Sequence, residues 1–302
     1  MRVLITGASG MIGSRLADAL LKRGDQVVGV SRNPDGARER KPELEWHGWD
    51  STDERPPDAA LEGTEAVVNL IGEAVDQRFT DDAKQRIRES RLRSTKNLVD
   101  AIKARAESPS VLVSGSAVGI YGDRPGETLT EDSATGDDFL AKLCVDWEAA
   151  ANEAESAGVR VATLRTGLVL DPSGGLLGPL LLPFKLGVGG PIAGGGFHMP
   201  WIHRDDEVAL LAWLIREPAA SGAHNGSAPN PVTNKEFSKT LGKVLRRPAL
   251  APIPKLAVAA LRGSEMADNA TADLNAIPKR ALDEGFDFRF PKLEPALRDL
   301  LG

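Results

Sequence analysis

The chain has 302 residues, of which 41% are apolar and 26% charged, and its formal net charge is −6. These proportions are typical of a globular protein with one large domain and a smaller one beside it. Acidic and basic residues are interleaved, so the charge predicts no binding of nucleic acid and none of an anionic membrane. With one cysteine, Cys144, no internal disulfide can form. No signal peptide is recognisable, and we expect a cytoplasmic protein.

The first half of the sequence alternates short apolar runs with longer amphipathic segments. The runs predict buried strands over residues 3–6, 26–30, 66–71, 111–114 and 159–165. The apolar spacing between them predicts helices over residues 11–23, 81–106 and 137–157. This alternation predicts an α/β fold with a Rossmann-type, doubly wound parallel sheet and helices on both faces.

The pattern changes after Asp171. Glycine and proline are frequent over residues 174–196, which predicts a long irregular segment closing over a pocket. Asp205 or Asp206 is expected to cap a helix that runs through Arg216. Residues 233–236 have the pattern of a capping box, and residues 286–301 predict a short strand followed by a helix.

These patterns predict two regions. Residues 1–170 are assigned to a dinucleotide-binding Rossmann domain, to which segments near residues 201–228 return. Residues 171–302 are assigned to a substrate-side region that includes a small C-terminal α+β domain.

A glycine-rich loop lies between the first strand and the first helix. In Gly7-Ala-Ser-Gly10-Met-Ile-Gly13, the first glycine permits a tight turn and the second lets the backbone approach a pyrophosphate. The third allows the helix to pack closely on the strand. Free amides at the helix N-terminus would bind the pyrophosphate, so the loop predicts a nicotinamide dinucleotide site.

The end of the second strand indicates which dinucleotide binds. Proteins that prefer NAD usually place an acidic residue there for the ribose 2′-hydroxyl. This chain has Ser31-Arg32 instead, and an arginine can pair with a 2′-phosphate. We therefore predict NADP(H), with NAD as the alternative if Asp35 acts as a displaced ribose ligand.

Other candidate cofactor residues follow the third, fourth and fifth strands. Asp50 can meet the adenine amino group, or cap a helix, and Asn69 either contacts the ligand or forms a turn. The complete set of predicted cofactor-binding residues is Gly7, Ser9, Gly10, Met11, Ile12, Gly13, Ser31, Arg32, Asp50, Asn69, Leu70, Gly72 and Ser114.

The motifs GASGMIG, NLIG, SGSAVGIYG, LRTGLVL and WIHRDD occur in the order seen in extended short-chain dehydrogenases/reductases. The stretches GDDFLAKLCVDWEAAA, LPFKLGVGGPI, APNPVTNKEF and FRFPKLEPALRDLL resemble an atypical "epimerase family" branch, whose members end in a C-terminal domain of unknown function. The resemblance covers essentially the whole chain and implies the fold and the cofactor site. It assigns no substrate.

The resemblance fails at the residues that normally transfer the proton. Active members use a Ser together with a Tyr-x-x-x-Lys pair, whose lysine lowers the tyrosine pKa. Here Tyr121 is followed four residues later by Pro125, and Lys142 is preceded at that offset by Asp138. Ser116 matches the superfamily serine and is the one predicted catalytic residue, the alternative being a strand-end serine that bonds local backbone.

The remaining candidates have structural interpretations. Lys142 is read as a solvated helix lysine rather than a ribose ligand, and Cys144 as a small buried residue rather than a nucleophile. His203 is read as a structural histidine, the alternative being an acid–base group. The histidines show no metal-ligand spacing with the cysteine, so no metal is predicted. Met199 stands where epimerases of nucleoside-diphosphate sugars have an arginine, which argues against such substrates.

Two functions remain open from the sequence. The first is an NADP(H)-dependent oxidoreductase or epimerase acting on an unidentified small carbonyl or alcohol. The second is a catalytically inactive, redox-sensing module that binds the cofactor and acts through a protein partner. The sequence leaves the oligomeric state open.

Overall fold

A computed structural model describes all residues, 1–302. Its strands are β1 (Arg2–Thr6), β2 (Gln26–Ser31), β3 (Glu45–Gly48), β4 (Ala66–Asn69), β5 (Val111–Ala117), β6 (Thr128–Leu129), β7 (Arg160–Thr166), β8 (Leu168–Asp171), β9 (Gly174–Gly175), β10 (His198–Met199), β11 (Trp201–His203), β12 (Gly222–Gly226), β13 (Val232–Thr233) and β14 (Asn275–Ala276). Its helices are α1 (Met11–Lys22), α2 (Pro34–Arg40), α3 (Asp58–Leu61), α4 (Asp81–Lys103), α5 (Phe139–Asn152), α6 (Leu177–Lys185), α7 (Arg204–Arg216), α8 (Asn234–Leu245), α9 (Lys255–Arg262), α10 (Ser264–Ala270), α11 (Lys279–Asp283) and α12 (Leu293–Leu301).

Seven strands form one sheet in the order β12-β7-β5-β4-β1-β2-β3. Every neighbouring pair is parallel. From β3 to β5 this is the strand order of a Rossmann fold, with the reversal between β1 and β4. The predicted fold class is therefore confirmed.

The two faces of the sheet belong to separate hydrophobic cores because successive side chains of a strand point to opposite faces. In β1, Val3 and Ile5 belong to a core that includes Leu16 of α1 and Leu210 of α7. Leu4, between them, belongs to a second core, which includes Leu98 of α4. The parallel sheet is thus covered on both sides, as its apolar strands require.

A third core is built by residues of the second half of the chain. It contains Leu170, Trp201, Phe237 and Leu297, contributed by β8, β11, α8 and α12. Short two- and three-stranded sheets surround it, and β14 pairs with β6. The capping box at Thr233 and Glu236 is confirmed at the start of α8. No helix is long and apolar enough to cross a membrane.

Two predictions about the second half are wrong: the cap of α7 by Asp205 or Asp206, and the strand before α12. The contacts of Asp206 bear on both. Neither Asp205 nor Asp206 caps α7, because the His203 Nδ1 atom accepts the Asp205 amide at 3.0 Å instead. The Asp206 carboxylate accepts the amides of Arg289 and Phe290 at 3.0 and 2.9 Å. These amides cannot join a strand ladder, so no strand precedes α12.

The glycine-rich segment is less irregular than predicted, because α6 occupies nine of its residues. Pro179 lies in the first turn of this helix, where the amide has no partner within the helix and proline is tolerated. Leu177 and Phe184 are buried in the third core and anchor the helix to it.

Candidate cofactor and substrate site

The glycine loop forms a tight turn between β1 and α1. Gly7 has a φ of +74°, and a Cβ there would lie 2.9 Å from the carbonyl oxygen of Leu70. A Cβ on Gly13 would lie 2.3 Å from the Gly7 carbonyl oxygen. Only glycine fits at either position, because the helix, the turn and the end of β4 pack backbone against backbone.

The N-terminus of α1 is free to bind an anion. Gly10 is the N-cap residue, no side chain caps the helix, and its first turn contains no acidic residue. The amides of Met11, Ile12 and Gly13 make no backbone hydrogen bond. Ser9 and Gly10 are exposed. Free amides at the positive end of a helix dipole fit a pyrophosphate.

The carboxyl ends of β1, β4 and β5 are neighbours in the sheet. The Asn69 side chain joins them: its Oδ1 accepts the Thr6 hydroxyl at 2.7 Å, and its Nδ2 donates to Thr95 at 2.9 Å and to Ser114 at 3.4 Å. Both Asn69 and Ser114 are fully buried. Their side chains therefore link the strand ends from inside the protein, whereas Leu70 is partly exposed and Gly72 is exposed.

The ends of β2 and β3 would face the adenosine half of a dinucleotide. The Ser31 hydroxyl accepts the Asn33 amide at 3.1 Å. Arg32 is exposed and has no ion-pair partner. Asp35 points into solvent and pairs with Arg38, so it is not held toward the crevice. No carboxylate therefore opposes a phosphate beside Ser31 and Arg32.

Asp50 lies in the turn after β3. It is exposed, and its Oδ1 accepts the Thr52 hydroxyl at 3.2 Å. The structure therefore places the exposed carboxylate of Asp50 beyond β3, where the adenine end of a dinucleotide is predicted.

Ser116 lies near the carboxyl end of β5 and is 5% exposed. Its hydroxyl donates to Oε1 of Glu148, on α5, at 2.6 Å. The same carboxylate accepts two hydrogen bonds from Arg165, from Nε at 2.9 Å and from Nη2 at 3.0 Å. Arg165 is the parallel-strand partner of Ser116 on β7, so the two side chains leave the sheet on the same face. We call these three residues the Ser116–Glu148–Arg165 cluster.

Tyr121 supports this cluster rather than the reacting atoms. Its hydroxyl accepts Nη1 of Arg165 at 3.0 Å and donates to Oδ1 of Asn225 at 2.7 Å. Burial raises the pKa of Tyr121 above its ordinary value, although Arg165 and Asn225 oppose the shift. The side chain is therefore a neutral, hydrogen-bonded phenol, as expected for a structural tyrosine.

The helix that would carry a Tyr-x-x-x-Lys pair lacks one in the structure as well. Asp138 caps α5 by accepting the Ala141 amide at 2.9 Å, and Lys142 is exposed. Cys144 is buried, and burial followed by the charge of Glu148 raises the pKa of its thiol to about 11. A neutral thiol is a poor nucleophile, so the cysteine fills space.

Three potential metal ligands, on His203, Asp205 and Asp299, lie within 4.8 Å of one another. The chemistry of His203 does not suit a metal. Its Nδ1 atom accepts an amide hydrogen bond, so in the neutral ring Nε2 carries the proton and lies 3.4 Å from the Asp299 carboxylate. The ring also stacks on Phe290 at 3.9 Å. These contacts describe a structural histidine.

Glu148 and Arg165 were not identified from the sequence. Glu148 lies on an ordinary amphipathic helix, and nothing in its spacing marks it. Arg165 carries a signal, because it is a charged residue among the buried residues of β7 (Arg160–Thr166) and a charge is rarely buried without a partner. That partner, 17 residues earlier in the chain, is visible only in the fold.

The strand order, the glycine turn and the free helix N-terminus define a dinucleotide-binding protein of the Rossmann type. The chain belongs to the NAD dependent epimerase/dehydratase family, whose model matches residues 3–226. Residues 253–300 match a domain of unknown function (DUF1731). The family resemblance stated from the motifs is confirmed.

Relatives match over the whole chain. The chloroplastic homologue of "Epimerase family protein SDR39U1" from Arabidopsis thaliana is 37% identical over 303 residues, covering 100% of this chain and 87% of the relative. The protein of that name from Homo sapiens is 36% identical, with 100% of both chains covered. A crystal structure of human SDR39U1 (isoform 2) with NADPH superimposes with a TM-score of 0.88 at 34% identity, covering 99% of each chain.

Proposed function

We propose that the protein is an NADP(H)-dependent oxidoreductase or epimerase that acts on a small carbonyl or alcohol in the cytoplasm. The Ser116–Glu148–Arg165 cluster carries this proposal, because it holds a group capable of proton transfer at the end of β5. In the Rossmann arrangement the pyrophosphate lies on the α1 N-terminus and the adenosine extends toward β2 and β3. The nicotinamide then extends toward β4 and β5, where Ser116 lies.

The choice of NADP(H) over NAD rests on the end of β2. Arg32 has no carboxylate partner and can bind a 2′-phosphate, whereas an acidic residue beside the ribose would repel it. The NADPH in the human relative's crystal structure agrees with this choice. When bound, the cofactor supplies or accepts a hydride.

The cluster can replace the missing tyrosine and lysine. Because the Ser116 hydroxyl donates its hydrogen bond to Glu148, the lone pairs of the serine oxygen are free to accept a hydrogen bond from a substrate hydroxyl group. As the substrate O–H bond breaks, its proton passes to Oγ of Ser116, and the serine proton passes to Oε1 of Glu148. Arg165 fixes the carboxylate for this transfer. Reduction of a carbonyl follows the same path in reverse.

An experiment on the two variants Ser116→Ala and Glu148→Gln tests the mechanism. With a panel of carbonyl compounds and NADPH, we expect both to lower turnover by roughly 10²-fold or more, the usual contribution of general acid–base catalysis. Ser110→Ala, an exposed serine just before the same strand, is the matched control. Unchanged turnover in Ser116→Ala removes the serine from the mechanism.

Cofactor choice is tested by nicotinamide fluorescence. Arg32→Ala should weaken NADPH binding at least tenfold and leave NADH binding unchanged, whereas Arg38→Ala, which removes an exposed arginine paired with Asp35, should change neither. An equal loss for both cofactors contradicts the assignment of Arg32 to the 2′-phosphate.

A second candidate function is a redox-sensing module that binds the cofactor without turnover and acts through a partner. The exposure of Lys142 and the capping role of Asp138 favour it, because the usual catalytic pair has no counterpart on α5. Tight NADPH binding with no turnover across the carbonyl panel would support this candidate over the enzyme.

A further inference from the structure

Arg91, on α4, is an arginine held at the ligand edge of the sheet without a carboxylate partner. Its Nη1 atom donates to the carbonyl oxygens of Glu73 and Ile87 at 2.9 and 3.2 Å. One turn earlier on the same helix, Arg88 pairs with Asp146 at 2.7 Å. Arg91 forms no such ion pair although it is partly buried.

The guanidinium of Arg91 lies between the segment that follows β4 and the middle of α5. A Cβ on Gly72 would lie 2.8 Å from its Cζ atom, so the group packs against the glycine backbone. On another side its Cζ atom lies 5.1 Å from the centre of the Trp147 ring. Trp147 immediately precedes Glu148 on α5, and its ring would lie 3.1 Å from a Cβ on Gly115, the residue before Ser116, so the guanidinium lies beside the same part of α5 as the cluster.

Two donor atoms of Arg91 are available to a ligand. Nε and Nη2 make no hydrogen bond within the protein, and neither is a buried atom lacking a partner, so both reach accessible space. The carboxylate of Glu73 acts on this charge at longer range, but it is already bound by Arg86 and Gln77. Burial lowers the pKa of Arg91, because the guanidinium has lost part of its solvation by water.

We propose that the substrate carries a carboxylate, which binds Nε and Nη2 of Arg91 while the reacting oxygen lies on Ser116. The planar fork of an arginine matches the two oxygens of a carboxylate. Every other basic residue of α4 forms an ion pair, so Arg91 is the one unpaired cation of this helix and suits a singly charged group better than a phosphate dianion. This inference rests on the proposed oxidoreductase function and narrows its substrate to a small keto or hydroxy acid.

Binding to the NADPH complex tests the inference without turnover. The probes are small carboxylic acids, each measured by calorimetry beside its neutral amide: oxamate with oxamide, and benzoate with benzamide. At least one acid should bind the native complex tenfold or more tightly than its amide. Arg91→Gln should abolish this preference, Arg91→Lys should retain part of it, and Arg88→Gln should leave it unchanged.

Several outcomes would overturn the proposal. They are an acid that binds no better than its amide, a preference that survives Arg91→Gln, or an equal loss in Arg88→Gln. A large loss of NADPH affinity in Arg91→Gln would assign the arginine to the cofactor instead. If inorganic phosphate competes with the acid and binds more tightly, the substrate group that Arg91 binds is a phosphate ester and not a carboxylate.

The same variants separate this inference from the proposed function. Ser116→Ala should retain the preference for the acid while losing turnover. If Ser116→Ala impairs turnover of neutral carbonyls and Arg91→Gln does not, the oxidoreductase stands and the carboxylate assignment fails. If no carbonyl is turned over but the acid preference depends on Arg91, the site binds acids without reacting.

Discussion

At β1 the carboxyl edge of the sheet offers backbone amides, whereas beside β5 it contains the buried ion pair of Glu148, on α5, and Arg165, on β7. Gly7, Gly10 and Gly13 leave room for a ligand and contribute no charge of their own. Glu148 and Arg165, by contrast, are almost buried and depend on each other. Substitutions in the glycine loop should therefore weaken ligand binding. Substitutions of Glu148 or Arg165 should also lower the free energy of unfolding.

The largest effect is expected from removing one member of the buried ion pair. Arg165→Met leaves the Glu148 carboxylate without its two strongest donors, and such a loss typically costs about 3–5 kcal/mol. Urea unfolding at neutral pH measures the change in the free energy of unfolding. The double variant Arg165→Met/Glu148→Leu should recover more than half of it, because no charge remains buried. A double variant no more stable than the single one would show that packing, not charge, is responsible.

A smaller effect is expected at Glu207, on α7. The residue is 1% exposed, and one carboxylate oxygen accepts the Thr166 hydroxyl at 2.7 Å while the other has no partner. Burial raises the pKa of Glu207 from 4.5 to about 7. Between these values the folded protein keeps a proton that the unfolded chain has lost, so the free energy of unfolding falls as the pH rises through this window.

Glu207→Gln should remove this pH dependence. Relative to the variant, the native protein should lose roughly 3 kcal/mol between pH 4.5 and pH 8, since one pKa unit corresponds to about 1.4 kcal/mol. Chemical unfolding at both pH values measures the difference, with the exposed Glu107→Gln as the control. Parallel pH curves for Glu207→Gln and the native protein would show that burial does not raise the pKa of this carboxyl group.

The contrast between the glycine loop and the buried pair of Glu148 and Arg165 also explains which features the sequence could predict. The glycine loop is local: its seven residues run from the end of β1 into the first turn of α1, and each glycine has its own steric reason. The cluster around Ser116 is not local, because Glu148 lies 32 residues away and the contact from Tyr121 to Asn225 spans 104. The periodicity of the sequence assigns such residues to a helix or a strand, but it does not show which of them contact each other. The false cap at Asp205 and Asp206 has the same origin, since Asp206 is used by the distant amides of Arg289 and Phe290.

The smallest effect on the free energy of unfolding is expected from a substitution in the glycine loop. Gly10 has ordinary extended dihedral angles, φ −77° and ψ 171°, and an added Cβ would meet only the Gly7 carbonyl oxygen, at 3.2 Å. Gly10→Ala should therefore lower the free energy of unfolding by only about 1 kcal/mol, the scale of replacing an N-cap residue.

NADPH binding to Gly10→Ala should nevertheless weaken tenfold or more, because the methyl group occupies the approach of the pyrophosphate to the α1 amides. Gly196→Ala is the control, since that glycine has a negative φ and no neighbour within 4 Å of an added Cβ. Unchanged NADPH affinity in Gly10→Ala would mean that the pyrophosphate does not lie on this helix. The adenosine and nicotinamide directions inferred from it, and with them the placement of Ser116 and Arg91 at the reacting end, would then fail together.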